Sequence, residues 1–350
     1  MLKLLAYYWG GTDALCYLQI ALSTAAGVYL AATTTTFTLG NVLLFSSYTG
    51  MLTWPVRQLG RILADMGRAT VAMERLDEIL SAPLEQEPGK ALKPEIRGNI
   101  QFSHVNFGYD YPDEVLKDIS FEVRSGQTIG ILGATGSGKS SLVQLLQRLY
   151  PVTGGHIYLD GVDINDIEHE HLRSHIGIVL QEPFLYSRSI LDNIRITDPS
   201  ASAEEVYSAA KAAAVHDVIQ HFDKGYDTLV GERGVTLSGG QQQRVAIART
   251  LMRKTPILIF DDSMSAVDTE TDQAIRKALR GIRGQSTTFI ISHRITTLME
   301  SDRILVLDQG RLVEEGTHAE LLSKHGIYSR IAEIQEATGQ VRLDEKGASL

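Results

Sequence analysis

The sequence has little cysteine, and it lacks charge over one long stretch near its start. Its single cysteine, Cys16, excludes an intrachain disulfide and argues against a cysteine-based metal site. Between residues 14 and 56 no side chain is charged, whereas a helix needs only ~20 apolar residues to cross a bilayer. A cleaved signal peptide has an apolar core of about 7–15 residues. The length of the run therefore predicts two membrane crossings.

The charge-free run divides into two candidate membrane helices, residues 14–33 and 39–55, with a short connection at 33–40. Arginines are then set among apolar residues at helical spacing, so we expect the second helix to continue into water as a stalk. A membrane helix tolerates a proline such as Pro55. The arginines place this end of the hairpin in the cytoplasm by the positive-inside rule. A buried helical hairpin of a soluble protein is the alternative interpretation.

The overall composition suits a folded protein of about two domains and disfavours nucleic acid as a partner. The formal net charge is −9, without a cluster of Lys and Arg that would attract a phosphate backbone. After residue 97, short strands alternate with helical stretches, which predicts an α/β domain with a largely parallel sheet. We expect a membrane part at 1–80, a proline-rich linker at 81–96, the α/β domain at 97–338 and a mobile tail at 339–350.

The segment GATGSGKS, residues 133–140, has the glycine pattern of a phosphate-binding P-loop. It follows an apolar strand and opens the helical stretch SSLVQLLQRLY, which is the context such a loop requires. Backbone amides and a helix N-terminus then face the phosphates. Lys139 should reach the β and γ phosphates of a nucleotide, and the Ser140 hydroxyl should bind Mg²⁺. The expected phosphate-binding residues are Gly133, Gly136, Ser137, Gly138, Lys139, Ser140 and Ser141.

Two adjacent acids end a second apolar strand, ILIFDD, at residues 257–262. Nucleotides of open α/β sheets bind at the carboxyl edge of the strands. Asp261 would lie at this edge and hold Mg²⁺ through water. Asp262 follows it directly.

The segment LSGGQQQR, residues 237–244, is called the signature below. Its hydroxyl, its unhindered glycine amides and the N-terminus of the following helix would bind an anion. These groups belong to Ser238, Gly239, Gly240 and Gln241. Taken with the P-loop and the acidic strand end, the signature resembles that of ATP-binding cassette (ABC) proteins, in which it caps the γ-phosphate of ATP held by the partner domain's P-loop.

The resemblance implies further roles for residues that occur in the family's order. Tyr109 would stack on adenine, and Gln181 would sense Mg²⁺ and meet the membrane part. Asp268 would act across the dimer, and His293 would contact the γ-phosphate. The implied catalytic residues are Asp262, His293 and Gln181, with Ser140, Gln181 and Asp261 at the metal. The implied fold is an ABC-type α/β P-loop ATPase, with a mainly parallel core sheet, an antiparallel β subdomain and a helical subdomain, preceded by a two-helix transmembrane hairpin with a cytoplasmic stalk.

The hairpin and stalk also resemble the last membrane helix of ABC exporters, whose subunits carry six such helices. Since two are found here, the chain looks like the C-terminal part of a half-transporter. The implied cofactors are ATP and Mg²⁺. The implied partners are a second exporter half, the lipid bilayer and a small drug- or lipid-like substrate, with no nucleic acid. The implied location is the bacterial inner membrane, with the ATPase domain in the cytoplasm.

Asp262 departs from the family pattern, which usually has Glu at this position. The two acids differ little in pKa, about 3.9 against 4.3, but Asp is one methylene shorter, and a displacement of ~1 Å can slow a reaction on the order of a hundredfold. We therefore expect slow hydrolysis at this site, as in the Asp-bearing subunit of bacterial heterodimeric multidrug exporters. The alternatives are a homodimeric exporter in which Asp262 still works, a non-catalytic regulatory fragment, and a soluble ABC ATPase acting on DNA or ribosomes.

Overall fold

The computed structural model describes residues 2–82, 84–85, 89–109, 113–231, 237–262 and 284–337. The chain divides into two compact units, residues 1–86 and 87–350. The tail expected at 339–350 and most of the helical stretch AIRKALRGIRG lie outside the described residues.

The first unit contains two helices, α1 (Leu2–Thr33) and α2 (Leu39–Ser81). They pack as an antiparallel hairpin: a Cβ on Gly27 would lie 3.4 Å from Val42, and the hydroxyls of Thr24 and Ser46 are 3.1 Å apart. Helix α2 continues through Pro55, which confirms the predicted extension of the second helix beyond the charge-free run.

One stretch of the described residues, Trp9–Thr33, is long and apolar enough to cross a membrane, with a mean hydropathy of 1.5. Only 6% of its most apolar part is buried, which does not fit the buried hairpin of a soluble protein. The second predicted crossing, at 39–55, does not meet the same standard. Its serines and threonines lower the hydropathy, although the hydroxyls of Thr49 and Thr53 donate to helix carbonyls.

The second unit is built on two sheets. The four-stranded sheet is antiparallel, in the order β2-β1-β4-β5, and the six-stranded sheet has the order β10-β9-β3-β8-β7-β6. In the six-stranded sheet only β10 runs antiparallel to its neighbour. The strands are β1 (Ile100–Phe107), β2 (Leu116–Val123), β3 (Thr128–Gly133), β4 (Gly154–Leu159), β5 (Val162–Asp163), β6 (Ile176–Val179), β7 (Ile257–Asp261), β8 (Thr287–Ile291), β9 (Arg303–Asp308) and β10 (Arg311–Gly316).

The helices of this unit lie between the strands and after them. Two short 3-10 turns occur at Ile164–Asp166 and Gly225–Asp227. The helices are α3 (Lys139–Leu146), α4 (His169–Ser174), α5 (Ile190–Ile194), α6 (Ala203–Ala212), α7 (His216–Gln220), α8 (Gly239–Met252), α9 (Ile295–Leu298), α10 (His318–Ser323) and α11 (Ile327–Ala337).

The six-stranded sheet is covered on both faces, as its nearly continuous apolar strands require. In β7, Ile257 and Ile259 pack with α3 and the antiparallel sheet. Their neighbours Leu258 and Phe260 pack with α5, α6, α8 and α11. Burial on both sides fixes the strand ends, where the predicted site residues lie.

These elements confirm the predicted ABC-type fold, with its mainly parallel core sheet, antiparallel subdomain and helical region. The helix after the P-loop is shorter than the sequence suggested. It ends at Leu146 with Gln147 as its C-cap, and Arg148 adopts a left-handed backbone (φ 54°) that no helix continues through.

Candidate nucleotide-binding site

The loop between β3 and α3 takes a conformation that depends on glycine. Gly136 and Gly138 have φ values of 81° and 98°, in the left-handed region that other residues avoid. A Cβ on Gly138 would also lie 2.5 Å from the Leu116 side chain. The loop therefore turns tightly into α3, whose N-terminus carries unpaired amides and partial positive charge.

Lys139 is held inside this loop. Its Nζ donates hydrogen bonds of 2.8 Å to the carbonyl oxygens of Gly133 and Ala134, and the residue is only 7% exposed. Burial lowers the pKa of the ammonium, while the carboxylates of Asp262 and Asp261 oppose that shift. A phosphate at the loop would add the negative charge that a buried ammonium favours.

Ser140 and Asp261 meet across the end of the sheet. The Ser140 hydroxyl donates a hydrogen bond of 3.1 Å to the Asp261 carboxylate. Burial raises the pKa of Asp261, and the bond from Ser140 opposes that change. A hydroxyl and a carboxylate are hard oxygen ligands of the kind Mg²⁺ takes together with substrate phosphates. No cluster of three or more His, Cys, Asp or Glu suited to a metal occurs among the described residues, and this sparse ligand pair fits Mg²⁺ bound mainly through a nucleotide.

Asp262 leaves β7 with a left-handed backbone (φ 43°), and its amide donates to Ile291 of β8. Asp tolerates this region better than most residues. Its Oδ2 lies 3.9 Å from Nε2 of His293, whose side chain is 47% exposed. Burial raises the pKa of the Asp262 carboxyl, and the charges of His293 and Lys139 oppose that change. Asp262 and His293 are therefore neighbours in the site, and the side chain of His293 is the more exposed of the two.

Tyr109 is held by contacts that its family role did not predict. Its hydroxyl is 2.9 Å from the Ser141 hydroxyl and donates to Gln144 at 3.2 Å. Its ring meets Phe107 and Tyr150 edge to face, yet the residue remains 50% exposed. A ring fixed on one side and open on the other can receive a flat base.

One cavity of about 370 Å³ brings most of the predicted site residues together. Gly133 and Ser137 do not line it. Gly133 instead supplies a carbonyl to Lys139, and Ser137 is 3% exposed. The lining consists of Tyr109, Val115, Thr135, Gly136, Gly138, Lys139, Ser140, Ser141, Gln181, Asp261, Asp262, Ile291 and His293.

The signature residues lie apart from the lining of this cavity. Ser238 is the N-cap of α8 and forms a capping box: its Oγ accepts from the Gln241 amide at 3.3 Å, and Gln241 Oε1 accepts from the Ser238 amide at 2.9 Å. Gly239 has no atom within 4 Å of the position a Cβ would take. The helix thus presents an unhindered N-terminus, which suits an anion from outside this cavity. Asp268 lies outside the described residues.

Two further residues near the site belong to no recognisable motif and could not be predicted from their residue type or spacing. Arg249, near the end of α8, donates to the carbonyls of Asn193 and Phe184, each at 2.9 Å, and to Asn193 Oδ1 at 3.0 Å. This links the signature helix to the loop that begins at Gln181. Gln335, on α11, hydrogen-bonds the backbone around His293.

Comparison with known proteins agrees with this geometry. Residues 116–265 match the ABC transporter family. The chain is 42% identical over 299 residues to the alpha-hemolysin translocation ATP-binding protein HlyB of Escherichia coli O157:H7, covering 85% of this chain and 42% of that protein. It is 44% identical over 299 residues to the uncharacterized ABC transporter ATP-binding protein YknU of Bacillus subtilis (strain 168), covering 85% and 51%.

Comparison with solved structures also finds an ABC exporter. A bacterial Atm1-family ABC exporter with ATP bound is similar at a TM-score of 0.73 and 39% identity, covering 93% of this chain and 57% of that one. The chain spans about half the length of the curated relatives it matches. The fold, the phosphate-binding loop and the family match together identify residues 116–265 as an ABC transporter ATPase domain.

Proposed function

We propose that this chain is the ATP-binding and ATP-hydrolysing part of an ABC exporter in a bacterial inner membrane. The observation that carries the proposal is the single cavity in which Lys139, Ser140, Asp261, Asp262 and His293 stand together. The loop amides and Lys139 would hold the phosphates, and Tyr109 would support the adenine. Mg²⁺, held by Ser140, Asp261 and Gln181, would neutralise charge on the β and γ phosphates.

In the reaction we propose, Asp262 orients the attacking water and accepts its proton, and His293 contacts the γ-phosphate. The 3.9 Å between their side chains lets both reach one phosphoryl group. The raised pKa of Asp262 improves it as a proton acceptor, provided it stays ionised at the working pH.

Binding of Mg·ATP to the purified 350-residue chain tests the nucleotide site. We expect Lys139→Ala to weaken binding by about 10- to 100-fold, because hydrogen bonds to a charged group are each worth roughly 1.5–3 kcal/mol. Lys211→Ala, a lysine in α6 outside the cavity lining, is the matched control. Equal affinity in wild type and Lys139→Ala would refute the proposed site.

We propose further that the site is completed by a second exporter half. The unhindered N-terminus of α8 does not face this cavity, and it would cap the nucleotide on the partner instead. The exposed apolar surface of Trp9–Thr33 supports insertion in the bilayer beside partner helices. Nucleotide-dependent association with a candidate half tests this. Membrane fractionation separates an exporter from a soluble ATPase acting on DNA or ribosomes.

The finer proposal is that this chain is the slow half of a heterodimer. Asp262 is one methylene shorter than Glu, and its carboxylate lies 3.9 Å from Nε2 of His293. In the assembled pair, Asp262→Glu should speed hydrolysis at this site, whereas Asp262→Asn should change the total rate little. If the chain alone forms a homodimer that turns over roughly several ATP per second, within the common enzyme range, then Asp262 is a working base and the heterodimer proposal is wrong. A chain that binds its partner without ever hydrolysing ATP would instead be the regulatory fragment.

For the transported molecule, we propose a small drug- or lipid-like compound. Two relatives are named for the translocation of alpha-hemolysin and of an exotoxin, so a polypeptide is the second candidate. ATP-dependent uptake of a lipophilic dye into inverted membrane vesicles, compared with uptake of a labelled polypeptide, distinguishes the two.

A further inference from the structure

The turn that carries His293 begins a helix without a cap of its own. Helix α9 starts at Ile295, directly after the N-cap residue Arg294, which makes no side-chain cap. An arginine side chain has no hydrogen-bond acceptor. The first amides of a helix need acceptors from elsewhere, so an acceptor must come from another part of the chain.

That acceptor comes from the last described helix. Gln335 Oε1 accepts from the Ile295 amide at 2.9 Å, and Gln335 Nε2 donates to the His293 carbonyl oxygen at 2.6 Å. The backbone N–H thus meets the side-chain oxygen, and the backbone carbonyl meets the side-chain NH₂ group. One side chain therefore fixes the backbone on both sides of Arg294.

Helix α11 is well placed to hold this side chain still. Tyr328 and Ala332 are fully buried, in the same core cluster as Ile295 of α9. Gln335 lies three residues after Ala332 and seven after Tyr328, on the same face of the helix. The polar contact with the turn thus continues an apolar contact between α11 and α9.

The His293 side chain, by contrast, lies at the open side of the site. It is 47% exposed, and its nearest charged partner is Asp262 at 3.9 Å. Its direction therefore depends on its backbone. We propose that Gln335 is a positioning residue for the nucleotide site: it holds the His293 backbone so that the imidazole faces the γ-phosphate. This rests on the nucleotide-binding role proposed above.

Three variants of the full chain separate this role from general stability. Gln335→Met keeps the length of the side chain and removes both hydrogen bonds. Gln335→Glu keeps the acceptor for Ile295 and removes the donor to His293. Glu336→Gln changes the exposed neighbour on the same helix and is the control.

The first readout is amide hydrogen exchange of segment 292–296 without nucleotide. We expect exchange to rise roughly three- to tenfold in Gln335→Met, the factor that corresponds to the loss of about one hydrogen bond, because only one of the two lost bonds is donated by a backbone amide, that of Ile295. The increase should be smaller in Gln335→Glu and absent in Glu336→Gln. The second readout is hydrolysis at this chain's own site, measured in an assembly whose partner site has been inactivated, where kcat should fall in both Gln335 variants while KM for ATP changes little.

Unchanged exchange at 292–296 in Gln335→Met would overturn the proposal, as would a uniform rise over the whole domain. A matching fall in ATP affinity with kcat unchanged would also overturn it, because it would place Gln335 in binding. Since exchange is measured without ATP, failure of the proposed ATPase function would show separately, in a wild-type chain that binds no nucleotide.

Discussion

The Ser140 hydroxyl donates a hydrogen bond of 3.1 Å to the Asp261 carboxylate, joining the P-loop helix to the end of β7. This bond holds the two side chains that would bind Mg²⁺ next to each other, at the end of the sheet where the nucleotide phosphates would lie.

Replacing Ser140 or Asp261 should weaken Mg²⁺ binding more than ATP binding. Ser140→Ala and Asp261→Asn are each expected to lower Mg²⁺ affinity by roughly 10- to 100-fold, with little effect on ATP binding in the presence of a chelator. Titrating Mg²⁺ against a fluorescent ATP analogue measures this. Lys211→Ala, outside the cavity lining, is the control. Equal Mg²⁺ affinities in Ser140→Ala and wild type would contradict the assignment.

The two roles of Ser238 can be separated by substitution. Ser238→Ala removes the N-cap of α8 and should destabilise the domain by about 1 kcal/mol in urea unfolding. Asp is an equally good N-cap, so Ser238→Asp should keep the stability while its charge repels a terminal phosphate. Nucleotide-driven association with the partner half should then fail in both variants. Normal association in Ser238→Asp would show that the signature does not meet phosphate.

The contacts of Arg249 require its planar, forked guanidinium. Lysine cannot reach the Asn193 carbonyl, the Asn193 side chain and the Phe184 carbonyl at once. Arg249→Lys should therefore lower the free energy of unfolding by about 1–3 kcal/mol, the cost of leaving buried polar groups unpaired. Urea denaturation measures the change. Arg253→Lys, at the exposed C-cap of the same helix, should have little effect. If Arg253→Lys destabilised the protein as much as Arg249→Lys, the contacts of Arg249 would not explain the loss.

The pairing of His318 with Tyr328 predicts acid sensitivity. His318 Nδ1 lies 2.7 Å from the hydroxyl of Tyr328, which is completely buried. Burial lowers the pKa of His318 from its ordinary value of 6.5, so the folded state binds this proton less readily than the unfolded state. The contribution to stability is complete above pH 6.5 and is lost as the pH falls below it toward the folded pKa.

Thermal unfolding between pH 7.5 and 5 measures this effect. The Tm of wild type should fall more steeply with acid than the Tm of His318→Gln, which cannot titrate. If the Tm of both proteins fell equally with pH, groups other than His318 would cause the loss of stability in acid.

The sequence predicted the parts of the site that depend on short-range rules. A glycine-rich loop between a strand and a helix, and an acid at the end of a buried strand, need no distant information, and Lys139, Ser140 and Asp261 lie in one cavity. The P-loop helix was predicted too long because Arg148 turns into a left-handed conformation that its residue type does not announce.

The contacts that hold the site in place could not be predicted. Gln335 reaches His293 across 42 residues, and Arg249 reaches Asn193 across 56. Such pairs depend on how helices dock, and neither residue type nor helical spacing specifies a partner at that separation. The second membrane crossing, at 39–55, stays a prediction: absence of charge is a weaker criterion than high hydropathy, and hydroxyl-rich residues satisfy only the first.

The pairing of β7 with β8 determines whether a folded molecule has an intact nucleotide site. Asp261 is opposite Ile291 in this parallel register, so the acid pair and the histidine turn leave the sheet at the same level. Both strands are buried along their whole length, and a slip by two residues would keep each side chain on the same face of the sheet. A misaligned molecule could therefore remain soluble and compact yet be inert toward nucleotide, so preparations should be graded by the fraction of active sites and not by solubility alone.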